Sequence, residues 1–315
     1  MRRIFPVLWL FFLPVFTALS QDLTVATFNA EFLNKSRVHL KFGLPFDMKN
    51  ASEEEQQYWE VEANRAAKLK EASANVASMI KQMNADVVTL TEVGGAEDLE
   101  VLLSELGQLG VTYDHWSVCD CTDPFTGQHV AVLSKYPLKE VWPQIPGRAL
   151  YLEETDGDSE GETGISKGMK VTVVVEEKEI DLFVLHLKSE RGGYDSDAKR
   201  LAQANIARRA IIGQLNLGRQ VIVAGDLNSE KGTESIYRIR GFDDVYEELI
   251  QTGHTQYFES TEVRWTYNYR GEPEQIDHIL VSPGLTARDG IKTRILVTDE
   301  KVSDHNPVIV ELTLK

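Results

Sequence analysis

Residues 61–93 read VEANRAAKLKEASANVASMIKQMNADVVTLTEV. From Val61 to Met83 the apolar residues Ala67, Leu69, Val76, Met79, Ile80 and Met83 recur at roughly helical spacing, which predicts a helix with one buried face. Asp86 to Val93 then changes to a run rich in Val and Thr, the composition of a strand. Upstream, Leu23 to Phe28 alternates apolar and polar residues as a strand does and stops at Asn29-Ala30-Glu31. Strand, helix, strand is the signature of an α/β fold, because two parallel neighbours need a crossover long enough to hold a helix.

Between these elements, residues 34 to 60 form a polar, acidic insertion with Glu53-Glu54-Glu55 and the aromatics Tyr58 and Trp59. It reads as a loop with a short helix, its aromatics covering an edge of the core in preference to stacking on a base. Further along, short strands are expected near 129 to 135, 168 to 175 and 179 to 187, the last two joined as a hairpin through Glu176-Glu177-Lys178. A long helix follows from about Ser196 to Leu217, stopped by Gly218, and Gln220 to Ala224 is a compact apolar strand that enters Gly225-Asp226. Glu153 to Gly164 reads as a hairpin tip. No Pro-rich or Gly/Ser-rich linker interrupts the chain, so one domain is expected over 21–315.

The 315 residues carry 33 Lys and Arg against 49 Asp and Glu, a net charge of −16, with 42% hydrophobic residues. This excludes a disordered chain and a multi-span membrane protein, and it opposes long-range capture of a polyanion, which needs clustered cations. Arg2 and Arg3 precede an uncharged run from Ile4 to Leu19, and Ala18-Leu19-Ser20 supplies small residues for cleavage. Residues 1–20 therefore read as a signal peptide, and the mature protein as secreted or periplasmic. Removing two Arg and no acid makes the mature charge 31 − 49 = −18. Asn34-Lys35-Ser36 and Asn50-Ala51-Ser52 fit the glycosylation acceptor pattern if the source is eukaryotic. The only cysteines, Cys119 and Cys121, would lie about 6.6 Å apart in an extended strand, so a disulfide needs a tight turn there. A bridge and a pair of free thiols both remain open.

Polar residues fall at strand ends along the whole chain. Asn29 ends the first strand, Glu92 the strand Val87 to Thr91, and His186 the strand Ile180 to Leu185. Asp226 and Asn228 follow Val221 to Ala224, Asp277-His278 interrupts a strand near Ile276 to Val281, and Asp304-His305-Asn306 precedes Val308 to Leu314. Strand ends are where α/β folds place ligand sites, so these groups can converge. Carboxylates and amides suit a hard divalent cation, and histidines beside acids supply proton-transfer chemistry near neutral pH.

The pieces T-F-N-A-E-F, L-T-E-V, H-L-K-S, G-D-L-N-S, Q-I-D-H-I-L and S-D-H-N-P-V, in this order from about Leu23 to Leu314, resemble the motifs of the endonuclease/exonuclease/phosphatase superfamily. The resemblance implies an α/β (α+β) fold of two packed mixed β-sheets flanked by helices, a four-layer sandwich with one cleft at the strand ends. It makes Glu92 the principal Mg²⁺ ligand, with Asn29 and Asp304 as direct or water-mediated contacts and Mn²⁺ or Ca²⁺ as alternative ions. Asp226 and Asn228 match the pair that holds the attacking water and the phosphate. His305 resembles the catalytic histidine with Asp277 as its orienting carboxylate, and His186 resembles a second phosphate-binding histidine. Which of Asp226 and His305 removes the proton stays open.

His278 should point away from Asp277 and serve packing. His39, His115, His129 and His254 have no motif context. Lys188 and the loop Arg191-Gly192-Gly193 could meet a phosphate or remain solvated, while Arg200, Arg208 and Arg209 read as a solvated stripe on the long helix. The expected protein is a secreted metal-dependent nuclease acting as a monomer on a phosphoester substrate, nucleic acid first, without stable membrane association. The alternatives are a phosphatase or phospholipase C-type enzyme for inositol phosphates or sphingomyelin, and a non-catalytic secreted binding or toxin-like module.

Overall fold

In the computed structural model, residues 22–153, 159–242, 248–252, 263–269 and 271–315 are described, so the expected signal peptide lies outside them, as does His254. The chain begins with β1 (Asp22–Leu33), α1 (Glu53–Glu60), α2 (Glu62–Met83), β2 (Val87–Val93), α3 (Ala96–Gln108), β3 (His115–Val118), β4 (His129–Ser134) and β5 (Leu138–Trp142). A hairpin of β6 (Ala149–Glu153) and β7 (Ser159–Thr163) leads to β8 (Gly168–Val175), β9 (Lys178–His186), α4 (Gly193–Asn216), β10 (Gln220–Asp226) and α5 (Glu234–Arg240). After β11 (Ile250–Gln251), a second hairpin of β12 (Tyr267–Tyr269) and β13 (Glu272–Glu274) precedes β14 (Asp277–Val281), β15 (Thr286–Ile295) and β16 (Val308–Leu314).

Among the described residues these strands make two six-stranded mixed sheets, in the orders β15-β16-β1-β2-β4-β3 and β11-β14-β10-β9-β8-β5. Each is built around a parallel pair bridged by a helix: β1 and β2 through α2, β9 and β10 through α4. Strand alternation then sorts the side chains into layers. Val25, Val87, Val132, Val171, Leu182, Ile222, Ile279 and Val310 fill the space between the sheets. The odd-even partners of the first sheet, Ala26, Phe28, Val88 and Leu90, face outward and are covered by Leu69, Val76 and Ile80 of α2 with Leu99 and Leu102 of α3. On the second sheet Phe183, Leu185, Val221 and Val223 meet Ile206 and Ile211 of α4 and Ile236 and Ile239 of α5. The result is the four-layer helix, sheet, sheet, helix sandwich. Each fully buried Leu or Ile adds about 1.5–3 kcal/mol relative to an exposed one.

The insertion is a short helix on a folded loop. Ser52 and Glu55 form a reciprocal capping box at the start of α1, and Trp59 is buried against His39, Phe42 and Tyr58. Cys119 and Cys121 are bridged, with their Cα atoms 5.2 Å apart because the chain leaves strand geometry after Val118. One expectation fails: Arg200 and Arg208 are buried, not part of a solvated stripe. The helix α4 packs on two sides, against α5 and β10 and under the hairpin β6-β7, so its polar face has a protein neighbour. Among the described residues no helix is long and apolar enough to cross a membrane.

Candidate active site

The register of the second sheet assembles half the site. Asp226 is paired with His186 on one side and with Asp277 on the other, so the three residues form one row across β9, β10 and β14. They occupy the same face as Leu182, Ile222 and Ile279, one row beyond the apolar filling. The layer between the sheets therefore ends in chemistry where the strands end. Gly225 makes this row possible: at φ +140° it passes so close to β9 that a Cβ would sit 1.9 Å from the Leu185 carbonyl oxygen. His278, one residue after Asp277, points to the other face as alternation requires, with its Nδ1 3.0 Å from Gln251 Nε2 and its Nε2 2.8 Å from the Ser229 carbonyl.

The first sheet supplies the facing half through two irregularities. Asn29 is aligned with Thr91 across the parallel pair, and the β1–β2 register shifts between Asn29 and Leu33. The β2–β4 register shifts between Leu90 and Val93, where Glu92 adopts φ 60°. A bulge of this kind re-aims a side chain that regular alternation would send to the helical layer. The strained backbone is held because Phe32 N–H donates to Glu92 Oε2 at 3.1 Å.

All eight expected residues come together around the cleft. His305 Nδ1 donates to Asp277 Oδ2 at 2.7 Å, and Asn29 Nδ2 donates to Asp226 Oδ2 at 3.0 Å while lying 3.5 Å from His305 Nε2. His186 Nε2 is 3.7 Å from Asp226 Oδ2 and 3.8 Å from Glu92 Oε1. Asp304 Oδ1 is 3.9 Å from His305 Nε2 at the half-open edge. Asn228, at φ 47°, donates its backbone N–H to Asp226 Oδ1 at 2.9 Å and its Nδ2 to the Leu187 carbonyl at 3.1 Å.

Electrostatics separate the two histidines. Burial opposes the charged form of His305, yet Asp277, with Asp226 and Asp304, raises its pKa from 6.5 to about 10. Burial, reinforced by Lys167 and His305, pushes His186 well below the ordinary imidazole value, so it is neutral. Burial and then Asp277 raise Asp226 to about 7, and burial with Asp304 holds Glu92 above the usual carboxylate range.

Four contributors escaped the sequence reading. Glu31 sits beside Glu92 and Asp304, which together with burial raise it to about 7. Lys41, from the insertion, reaches Glu31 Oε2 at 3.5 Å. Lys167, held by Gln128 Oε1 at 3.0 Å and Asp123 Oδ2 at 3.7 Å, projects its charge onto Glu92 and His186. Tyr267 lies over His305 with ring centroids 4.7 Å apart. Only Glu31, inside T-F-N-A-E-F, stood within a motif. Arg200 supports the site from below, donating to Ser229 Oγ at 2.8 Å and to the Lys188 carbonyl at 3.1 Å.

The donor set suits a hard divalent ion. It is built of carboxylate and amide oxygens, and among its buried oxygens Asp277 Oδ1 has no hydrogen-bond partner and Glu31 Oε2 has only the Lys41 ammonium, 3.5 Å away. Like-charged groups held together with unpartnered oxygens are stabilised by a cation. Asp226, Asp277 and His305 each offer a ligand atom within 4.8 Å of one another. With its Nδ1–H engaged by Asp277 and its ring charged, His305 has no lone pair to give. The Glu92 side is therefore the better match to a metal.

A family model described as the Endonuclease/Exonuclease/phosphatase family matches residues 26–305, and the chain belongs to this family, whose members are metal-dependent phosphoesterases. No curated protein matches the sequence. Among solved structures, TDP2 from Caenorhabditis elegans superposes with TM-score 0.56 at 15% identity, covering 93% of this chain and 75% of that one. An endonuclease/exonuclease/phosphatase from Bacteroides vulgatus gives 0.56 at 18% identity, over 94% and 100% of the two chains. A beta toxin variant from Staphylococcus aureus with bound magnesium ions gives 0.55 at 17% identity, over 92% and 99%. These likenesses establish the shared fold.

Proposed function

We propose that this member of the endonuclease/exonuclease/phosphatase family is a secreted, magnesium-dependent phosphodiesterase that cleaves nucleic acid as a monomer. The observation that carries the catalytic reading is the row His186–Asp226–Asp277 completed by His305, a neutral imidazole, a carboxylate poised near neutrality and a carboxylate-held imidazolium around one space. Export is supported by the apolar run after Arg2-Arg3 and by the Cys119–Cys121 bridge, which suits an oxidising compartment. Nucleic acid is favoured by the cations on one rim. Lys199 and Lys167 act on Lys188 just past His186, with Asp123 opposing them, a local positive spot in an acidic protein that suits a phosphate flanking the scissile one.

Glu92 is assigned as the principal metal ligand, with Asn29 and Asp304 contributing directly or through water. The ion, when bound, supplies charge neutralisation at the leaving oxygen. The chain's own groups do the rest. Asp226, raised to about 7, accepts the proton of the attacking water, since His305 is already protonated across the working range. Asn228 orients Asp226 through its backbone N–H. His305, held in direction by Asp277, and the neutral His186 donate to the non-bridging phosphate oxygens.

The test is a release assay on purified mature protein with plasmid DNA, RNA, inositol phosphates and sphingomyelin, with and without EDTA. Metal-dependent cleavage of nucleic acid is the expected result. Hydrolysis of sphingomyelin or of phosphomonoesters alone would overturn the substrate, and activity after complete metal removal would overturn the mechanism.

A further inference from the structure

The insertion contributes more than cover. Lys41 is the fourth residue of the 3₁₀ turn Val38–Phe42, and its side chain runs inward until it is almost completely enclosed, 1% exposed. Its ammonium donates to the Ala30 carbonyl at 2.9 Å, to the Glu31 carbonyl at 3.2 Å and to the Val302 carbonyl, and lies 3.5 Å from Glu31 Oε2. Three donors on three carbonyls complete an ammonium's hydrogen bonding, leaving its charge to the carboxylates around it. Two of those carbonyls follow Asn29 directly and the third lies two residues before Asp304. The same two segments are also tied by Ser303 Oγ, which donates to the Asn29 carbonyl at 2.7 Å and accepts from His305 N–H at 3.0 Å. Lys41 therefore clamps the turn that carries Asn29 to the loop that carries Asp304.

Glu31, Glu92 and Asp304 all act on this ammonium, and Glu31 Oε2, buried and 3.5 Å from the ammonium, has no closer partner. Across the cleft five carboxylates, Glu31, Glu92, Asp226, Asp277 and Asp304, face three cations, Lys41, Lys167 and His305, a surplus of two negative charges that one divalent ion neutralises. Without the lysine the surplus would be three, and the Glu31 side of the group would draw a further ion.

We propose that Lys41 is the site's permanent second cation: it occupies the Glu31 side of the carboxylate group, so the site takes up a single divalent ion. Lys41 is a positioning residue. The inference rests on the placement of the metal at Glu92.

The experiment counts bound ions directly. Calorimetric titration of the mature, metal-free protein with Mn²⁺ at pH 8, checked by the paramagnetic resonance signal of free Mn²⁺, should give one ion per wild-type chain. Lys41→Met should bind a second, weaker ion, Lys41→Arg should stay at one, and Lys41→Met combined with Glu31→Gln should return to one. A lysine that only braces the fold would lower the melting temperature in Lys41→Met and leave the count at one, and that result would overturn the proposal. Lys41→Gln, which retains a donor for one carbonyl, replaces Lys41→Met if the latter does not fold. Two ions in the wild-type protein would overturn this inference while leaving the metal placement intact; no binding at all would overturn both.

Discussion

Replacing Asp277 by Asn keeps the shape of the His305 partner and removes its charge. His305 Nδ1 stands 2.7 Å from Asp277 Oδ2 with both groups buried, and the ring's pKa is raised from 6.5 to about 10. Burial opposes the imidazolium, so the carboxylates around the ring more than offset its desolvation. Asp277 supplies both a Coulomb interaction and a hydrogen bond, whereas Asp226 and Asp304 act through their charges alone. An opposite charge at contact distance typically shifts a pKa by about 1–3 units, so in Asp277→Asn the His305 value should drop by about 2 or more. Two readouts follow. The imidazole of His305 in the metal-free protein should titrate near 10 in wild type and at or below about 8 in the variant, followed by NMR of histidine-labelled protein. The alkaline limb of kcat should move down by the same interval, and kcat at neutral pH should fall about a hundredfold, the usual cost of disordering one donor to a developing phosphate charge. If His305 titrates unchanged in Asp277→Asn, or if the alkaline limb stays in place while the imidazole shifts, the dyad does not perform the role assigned to it.

Asp226→Asn should lower kcat by about a hundredfold or more with a smaller effect on KM, and the circular dichroism spectrum should be unaltered because the amide keeps the side chain's shape and its oxygen can still accept from the Asn228 N–H, at the loss of the Asn29 bond to the other oxygen. In EDTA the protein should become less stable as pH rises from about 6 to 10: Asp226 and His305 both bind protons more tightly folded than unfolded, so stability present at low pH is lost as pH passes through about 7 and then about 10. A thermal melt that is flat or rises over this range would contradict the assignment, and saturating Mg²⁺ should raise the melting temperature throughout by preferential binding to the folded state. The Cys119–Cys121 bridge closes only a three-residue loop, so its reduction should cost no more than about 2 kcal/mol and leave the far-ultraviolet spectrum intact.

Much of this site could be read in the sequence because it is written in strand periodicity. Asp226, His186 and Asp277 each extend an alternating apolar run by one inward position, so the reading that orders the core also orders the row. His278 could be turned away from the site by the same rule. Glu92 breaks the rule, and only the bulge at φ 60° explains how it faces the cleft. Lys41 and Lys167 were invisible for a different reason: both reach the site from segments without periodicity, and their partners lie far along the chain, Val302 for one and Asp123 and Gln128 for the other. Arg200 and Arg208 were misread because helical spacing reveals which residues share a face and is silent about what covers that face.

The acidic excess changes meaning with the site in view. Read along the chain, a charge of −16 opposes any polyanion. In the folded protein, carboxylates gathered at the cleft, Glu31, Glu92, Asp226, Asp277 and Asp304, are held beside Lys41, Lys167 and the protonated His305, so three of the five charges are balanced within the cleft and a divalent ion would balance the other two. What an approaching phosphate meets is the rim at Lys188, on which the charges of Lys199 and Lys167 act, with Asp123 opposing them. At physiological salt the field of more distant surface acids decays over roughly 8 Å, about the scale of this rim. Attraction is therefore short-ranged and confined to the strand ends, the one place where a phosphoester can react.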